Sequence, residues 1–134
     1  MSLQLKSSTR KGELWGGEAQ DVVVSEGFAY VAANDGGLAV IDVTDPTVPG
    51  DPIFIATEGR ALAVTIVDSF AYIAAAEAGL AIVDISDPAT PGMPVYSKTS
   101  GAALDVEVRG SYAYVAASDS GIAIISVAQP ATPG

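Results

Sequence analysis

Short runs of apolar, often β-branched residues alternate with clusters of glycine, aspartate and proline along most of the chain. The segment Gly79–Gly92, GLAIVDISDPATPG, nearly repeats the segment Gly37–Gly50, GLAVIDVTDPTVPG. Such runs, bounded by such clusters, are typical of β-strands joined by tight turns. Between positions 59 and 100 the pattern predicts no helix and four strands: Leu62–Val67, Phe70–Ala75, Leu80–Ile85 and Val95–Thr99.

The pattern recurs with a fixed period. Tyr30, Tyr72 and Tyr114 are separated by 42 residues each, and sets of glycines and prolines follow the same spacing. A period of this length is typical of propeller blades of four strands. We therefore divide the chain into an N-terminal arm, residues 1–16, and three blade repeats, residues 17–58, 59–100 and 101–134, of which the third lacks its own outer strand.

The central strands of each repeat are apolar on both faces. Leu80, Ala81, Ile82 and Val83 follow one another without a polar residue, whereas a sheet with one wet face would alternate. Both faces must therefore be covered, and stacking each sheet on the next around an axis covers them. The expected fold is all-β, a β-propeller made of three four-stranded blades per chain. Tyr30, Tyr72 and Tyr114, which recur in the strands, are expected to pack between blades.

Three blades are too few for a closed ring, because propellers have about four to eight. An open array would expose an apolar face at each end and unpaired strand edges. We expect homodimerisation to close a six-bladed ring by strand exchange, the arm of each chain supplying the missing outer strand of the other. The arm residues expected to take part in this closure are Leu3, Leu5, Lys11 and Trp15.

Two registers of the arm are compatible with the repeat. Keeping the period aligns Lys11–Trp15 with Ile53–Thr57, whereas the N-terminal sequence MSLQLKSS matches Met93–Ser100 in residue type at several positions. The second register is favoured because Leu3 and Leu5 then alternate with polar residues as in a strand. Alternatively, the first eight residues are a remnant of cloning.

The chain is acidic, with a formal net charge of −10. Three of its six basic residues, Lys6, Arg10 and Lys11, lie in the arm, so the repeats are strongly acidic. This charge argues against binding to nucleic acid or to anionic membranes, where Lys and Arg must replace phosphate counterions. Because no segment is apolar enough to span a membrane and the N-terminal residues do not resemble a signal peptide, we expect a soluble chain.

Histidine and cysteine are both absent from the sequence. Ser-His-Asp and Cys-His catalysis, disulfides and His-based zinc sites are therefore excluded. The remaining candidates are paired carboxylates, Asp42 with Asp45 and Asp84 with Asp87. Asp45 and Asp87 precede prolines, where aspartate commonly begins a turn, and a role in turns is favoured. We expect no enzymatic activity, no metal and no cofactor.

The turns between the second and third strands of each blade are expected to share one face with the connections between blades. We call this face, which contains the turns at 34–37, 76–79 and 118–121 and the inter-blade connection with Glu58 and Arg60, the loop face. Each of its turns contains an acid, which would attract a cationic partner. An exposed tryptophan would add an anchor for proteins or sugars. The candidate binding residues are Trp15, Asn34, Asp35, Glu58, Arg60, Glu77 and Asp119.

The segments GLAVIDVTDP, GLAIVDISDP and GIAIISVAQP, each preceded by AYVAA or AYIAA, resemble the LVIVD repeat. The resemblance covers about residues 17–134. In the third copy Ser126 and Gln129 replace aspartates of the other two, which weakens any common role for those acids. The resemblance implies a β-propeller fold, no enzymatic activity, and a place outside the cell or at its surface.

Three classes of function are compatible with these observations. A non-enzymatic scaffold or binding module, which contacts another protein or a surface component through the loop face, is favoured. A ring-shaped carbohydrate-binding lectin is the alternative, since identical blades would form repeated pockets, although Trp15 occurs only once. A carboxylate-based glycosidase is third and would need two acids about 5 to 9.5 Å apart.

Overall fold

The chain folds into stacked antiparallel sheets, which we number as blades 1, 2 and 3. The computed structural model describes residues 18–134, so the predictions for Leu3, Leu5, Lys11 and Trp15 lie outside the described residues. Blade 1 contains β1 (Asp21–Ser25), β2 (Phe28–Ala32), β3 (Leu38–Asp42) and β4 (Ile53–Ile55). Blade 2 contains β5 (Ala63–Val67), β6 (Phe70–Ala74), β7 (Leu80–Asp84) and β8 (Val95–Ser97). Blade 3 contains β9 (Asp105–Arg109), β10 (Tyr112–Ala116) and β11 (Ile122–Ser126).

Each blade is an antiparallel meander, in which strands adjacent in sequence are adjacent in the sheet. Tyr30 on β2 lies opposite Val23 and Val40, and Tyr72 on β6 holds the same position in blade 2. Blades 1 and 2 have four strands, whereas blade 3 has three within the described residues. The first strands β1, β5 and β9 contact each other in succession, as in a propeller. The all-β, propeller-like fold is therefore confirmed, and a single chain does not close the ring.

The predicted strands of blade 2 are all present but slightly shorter. β8 ends at Ser97 because the hydroxyl of Thr99 turns to donate to the carbonyl of Gly101, at 2.6 Å. β6 ends at Ala74 because the N–H of Ala75 donates across the turn to the carbonyl of Gly79, at 2.8 Å.

The turn at Ser118–Ser120 of blade 3 is a single 3-10 turn, and residues 18–134 contain no α-helix. The equivalent turns of blades 1 and 2 form the same local hydrogen bonds but are also paired with the next inter-blade connection. Blade 3 has no such pairing within the described residues, so its turn remains a free helical turn.

The core lies between neighbouring blades. At junction 1–2, Tyr30, Leu38 and Val40 of blade 1 pack with Ile73 and Val83 of blade 2. At junction 2–3, the equivalent cluster is formed by Tyr72, Leu80 and Ile82 of blade 2 with Val115 and Ile125 of blade 3. Burial of these side chains, at about 1.5–3 kcal/mol each, is the main force that holds the blades together. The prediction that both faces of the central strands are covered is confirmed for blade 2.

The third member of the tyrosine set differs from the other two. Tyr30 and Tyr72 are buried at the junctions, as the sequence predicts, whereas Tyr114 is exposed. The prediction of inter-blade packing was wrong for Tyr114 in the single chain, because no fourth blade follows blade 3 in the described residues.

Candidate functional site

The loop face is held together by main-chain hydrogen bonds between blades. The N–H of Asn34 donates to the carbonyl of Ala61 at 2.9 Å, and the N–H of Ala61 donates back to Asn34 at 3.0 Å. Ala76 and Ala103 form the same reciprocal pair one repeat later. The strand-connecting turns and the inter-blade connections therefore do share one face, and their backbones are fixed relative to each other.

Charged side chains cluster where this face crosses junction 1–2. The guanidinium of Arg60, in the connection, lies 3.3 Å from the carboxylate of Glu77, in the turn of blade 2. A hydrogen bond from its own backbone N–H, and then the nearby Arg60, hold the pKa of Glu77 below its ordinary value. The N–H of Glu58 donates to the hydroxyl of Tyr96 on β8, at 2.9 Å. The sequence analysis did not include Tyr96, which has no aromatic equivalent in blade 3 within the described residues.

The other candidate residues lie around this cluster or apart from it. Asn34 adopts a positive φ of 54°, and its side-chain Oδ1 is buried without a hydrogen-bond partner among the described residues. Asp35 is exposed beside it, and Asp119 is exposed on the 3-10 turn of blade 3. Asn34, Glu58, Arg60 and Glu77 thus meet at one junction, whereas Asp119 lies one blade further on. Trp15 lies outside the described residues.

The paired aspartates lie at the opposite end of the blades. We call this end, which contains the turns at 26–27, 68–69 and 110–111 and the loops after β3, β7 and β11, the hairpin face. Asp42 accepts hydrogen bonds from the backbone and side chain of Thr44, at 2.9 and 2.6 Å. Asp84 accepts the same pair from Ser86, at 2.9 and 2.7 Å. The role in turns that the sequence favours is confirmed for these acids, and for Asp45 and Asp87, which bond within their own loops in the same way.

The hydrogen bonds at Asp42 and Asp84 also lower the pKa of these two carboxyl groups. Bonds from the hydroxyl and N–H of Thr44 hold the pKa of Asp42 below its ordinary value. The N–H and hydroxyl of Ser86 lower the pKa of Asp84 in the same way. A glycosidase needs one carboxyl group with a raised pKa as general acid, and these aspartates are shifted in the opposite direction.

We expect the contribution of Asp84 to folding to depend on pH. Its pKa is lower in the folded chain than in the unfolded chain, so its stabilising effect is present above the ordinary aspartate pKa and is lost as the pH falls through the folded value. Asp84→Asn should therefore destabilise the chain more at pH 7 than at about pH 3. Urea unfolding at both pH values would measure this, with Asp51→Asn as the control for loss of one charge. An equal effect at both values would contradict it.

Two cavities that the sequence analysis missed open on the hairpin face. One, of about 420 Å³ at junction 1–2, is lined by Phe28 and Tyr30 together with Glu26 and Asp68. The other, of about 310 Å³, is lined at junction 2–3 by Asp68, Phe70 and Tyr72. Burial, and then the charge of Glu26, raise the pKa of Tyr30, so its hydroxyl stays protonated and able to donate. The segment Phe-Ala-Tyr begins the second strand of both blade 1 and blade 2. This recurrence is the sequence signal that could have revealed the two cavities.

Comparison with known proteins agrees with the repeat seen in the structure. A family model described as the LVIVD repeat matches the chain three times, over residues 16–51, 58–98 and 100–134. A search of curated proteins found no significant match. Among residues 18–134, no group of three or more acidic side chains is arranged to hold a metal ion. The same residues include no helix that could cross a lipid bilayer.

Proposed function

The chain belongs to the LVIVD-repeat family, and from this premise we propose that it is a non-enzymatic β-propeller module that binds another protein or a surface component through its loop face. The observation that carries the proposal is the reciprocal pairing of Asn34 with Ala61 and of Ala76 with Ala103. These bonds hold the exposed turns of successive blades in fixed positions, as a binding surface on a rigid scaffold requires. The resemblance to the family supports a place at the cell surface or outside the cell.

The charge of the loop face favours a cationic partner. Asp35, Glu58, Glu77 and Asp119 are all exposed there. Arg60 offsets one of these charges by its ion pair with Glu77, so the face stays net acidic. Acids spaced along a fixed surface raise the local concentration of positively charged groups and speed their association. The proposed ligand is therefore a basic segment of a protein.

A fluorescent deca-lysine peptide tests this proposal. Removing three charges from the loop face, with Asp35→Asn, Glu77→Gln and Asp119→Asn together, should weaken its binding about tenfold at about 0.1 M salt, where screening over about 10 Å leaves only nearby charges to attract it. The matched control removes three charges from the hairpin face, with Glu26→Gln, Asp68→Asn and Asp87→Asn, and should change the affinity less than about twofold. Equal losses in the two triple variants would show attraction by the whole acidic body and would refute a loop-face site.

We also propose that two chains complete a six-bladed ring. The single chain presents stacked blades without closure, and propellers close with about four to eight blades. Two copies of the three-blade array reach that number with two equivalent junctions, as twofold symmetry requires. The mass of the chain in solution, measured by light scattering after size exclusion, tests this count: a mass of two chains supports it and a mass of one chain refutes it.

The cavities of the hairpin face favour a carbohydrate-binding lectin as the second candidate function. Each combines a partly buried phenylalanine, whose ring can stack on a sugar, with a carboxylate and the hydroxyl of an otherwise buried tyrosine, which can hydrogen-bond to it. The set recurs at both junctions. Binding on a glycan array that is lost in Tyr30→Phe with Tyr72→Phe, but kept in Tyr96→Phe on the loop face, would support it. No binding, or equal loss in the two variants, would exclude it.

A further inference from the structure

We propose that the exposed face of blade 3 is a docking surface for the first strand, β1, of blade 1 in a second copy of this chain. The inference rests on the proposed two-chain ring and identifies the residues that close it. Equivalent positions of the repeat are buried at the internal junctions but exposed at the two ends of the array.

On blade 3, the residues that would face a following blade are exposed. Tyr114 is 40% exposed, whereas Tyr30 and Tyr72, at the same repeat position, are 2% and 3% exposed. Ile122 is 70% exposed, whereas its equivalents Leu38 and Leu80 are both 0% exposed. Ile124 is also exposed, although Val40 and Ile82 at its position are buried. The face of blade 3 therefore keeps the apolar character of a junction without a blade packed against it in the described residues.

On blade 1, the first strand, β1, has exposed apolar residues at positions that are packed into junctions in blades 2 and 3. Val22 and Val24 on β1 are 55% and 65% exposed. Their equivalents in blade 2, Val64 and Ile66, pack into junction 1–2, and those in blade 3, Val106 and Val108, pack into junction 2–3. The side of a blade that meets the preceding blade is thus uncovered at Val22 and Val24.

The rest of that side of blade 1 is not open to a second copy. It carries small and branched residues at the positions that receive the preceding blade in blades 2 and 3. These are Ala29, Val31, Ala39 and Ile41, which correspond to Ala71, Ile73, Ala81 and Val83 in blade 2. They are already buried in the chain, so the surface open to a second copy is centred on Val22 and Val24.

One polar contact of junction 1–2 has a counterpart at the free end. The carboxylate of Asp21 accepts the N–H of Val64 across that junction, at 3.1 Å. Asp105 occupies the same repeat position in blade 3, with its carboxylate anchored by the N–H of Val106 at 2.9 Å. If β1 of the second copy lies on blade 3 as β5 lies on blade 1, Asp105 would lie next to Val22 of that copy. The new junction would then contain both the apolar contacts and the hydrogen bond of an internal junction.

Disruptive substitutions at exposed positions test the docking surface without disturbing the core. Val24→Glu and Ile124→Glu should each convert a dimer into a monomer, because a charge would be buried at both new junctions. Met93→Glu, at an exposed position of the middle blade between β7 and β8, should leave the dimer intact. Light scattering across a range of concentrations gives the mass of each variant.

Cysteine cross-linking tests the orientation, and the absence of native cysteine keeps it specific. Ala32 and Val64, the internal equivalents of Ala116 and Val22, lie in one cluster. A mixture of the Val22→Cys and Ala116→Cys variants should therefore give covalent dimers with a short bismaleimide, whereas each variant alone should give none.

The possible outcomes separate the proposals. A wild-type monomer would overturn both the ring and the docking surface but leave the loop-face site to its own test. A dimer that survives Val24→Glu or Ile124→Glu would overturn the docking surface alone. Cross-linking of the Ala116→Cys variant with itself would show that two blade 3 faces meet, which also overturns it.

Discussion

Replacing Leu80 with alanine is expected to lower the free energy of unfolding by about 2–5 kcal/mol. Leu80 begins β7 in the middle blade and is fully buried against blade 3. Truncation to alanine would lose apolar burial and leave a cavity between blades 2 and 3. The strands of each blade are hydrogen-bonded to each other, so the two sheets cannot easily move together to fill the cavity. Urea unfolding, with the slope checked for two-state behaviour, measures the loss.

The repeat provides a matched control for this prediction at the same position of blade 3. Ile122→Ala removes a similar number of carbon atoms from a side chain that is mostly exposed in the single chain. Its cost at low protein concentration should be about 1 kcal/mol or less. If Ile122→Ala costs as much as Leu80→Ala even in the monomer, then blade 3 is covered within the chain and the exposed face described above does not exist. A cost that grows with protein concentration would instead indicate burial by a second copy.

The fold was predictable because the sequence repeats the same pattern of buried strands and tight turns three times. Each copy must supply strands that are buried on both faces, and uninterrupted apolar runs such as that in β7 meet this requirement. The apolar runs follow each other so closely that only tight turns can connect them. The Asp-Pro turns were also predictable, because the bonds from the N–H of Thr47 to Asp45 and from the N–H of Ala89 to Asp87 span only two residues. Local chemistry of this kind needs no knowledge of the tertiary structure.

The parts that could not be predicted depend on contacts between distant residues. Tyr30 and Tyr114 have the same local sequence, and only the presence of a following blade makes one buried and the other exposed. The hydrogen bond between Glu58 and Tyr96 joins residues 38 positions apart, and the cavity beside Tyr30 exists only where two hairpins approach each other. A periodic pattern describes what the repeats share, whereas the candidate site arises where the repeats differ.

Gly79→Ala is expected to destabilise the chain by about 3 kcal/mol or more, from two sources that the repeat separates. Gly79 has a φ of 86°, a backbone conformation that costs other residues about 1–3 kcal/mol. A Cβ at Gly79 would also lie 2.8 Å from the backbone nitrogen of Thr99, which follows the outer strand β8. Since β8 is hydrogen-bonded to β7, the backbone cannot move away without loss of that pairing.

Gly121→Ala measures the cost of the backbone conformation without the contact with an outer strand. Gly121 has nearly the same φ, 81°, but a Cβ there meets nothing within 4 Å among the described atoms, because no outer strand lies beside β11 in the described residues. Its cost in the monomer should therefore be about 1–3 kcal/mol, the cost of its φ of 81° and ψ of −121° for a residue other than glycine, measured by the same urea unfolding. Equal costs for the two variants would mean that β8 yields to the added methyl group.

The same substitution tests strand exchange. If the arm of a second copy becomes the outer strand of blade 3, the Cβ in Gly121→Ala would meet that strand as it meets β8 in Gly79→Ala. The variant should then dimerise more weakly than wild type, although its fold as a monomer is nearly unchanged. Dimerisation equal to wild type would mean that the ring closes through the apolar faces of blades 3 and 1 without an exchanged strand.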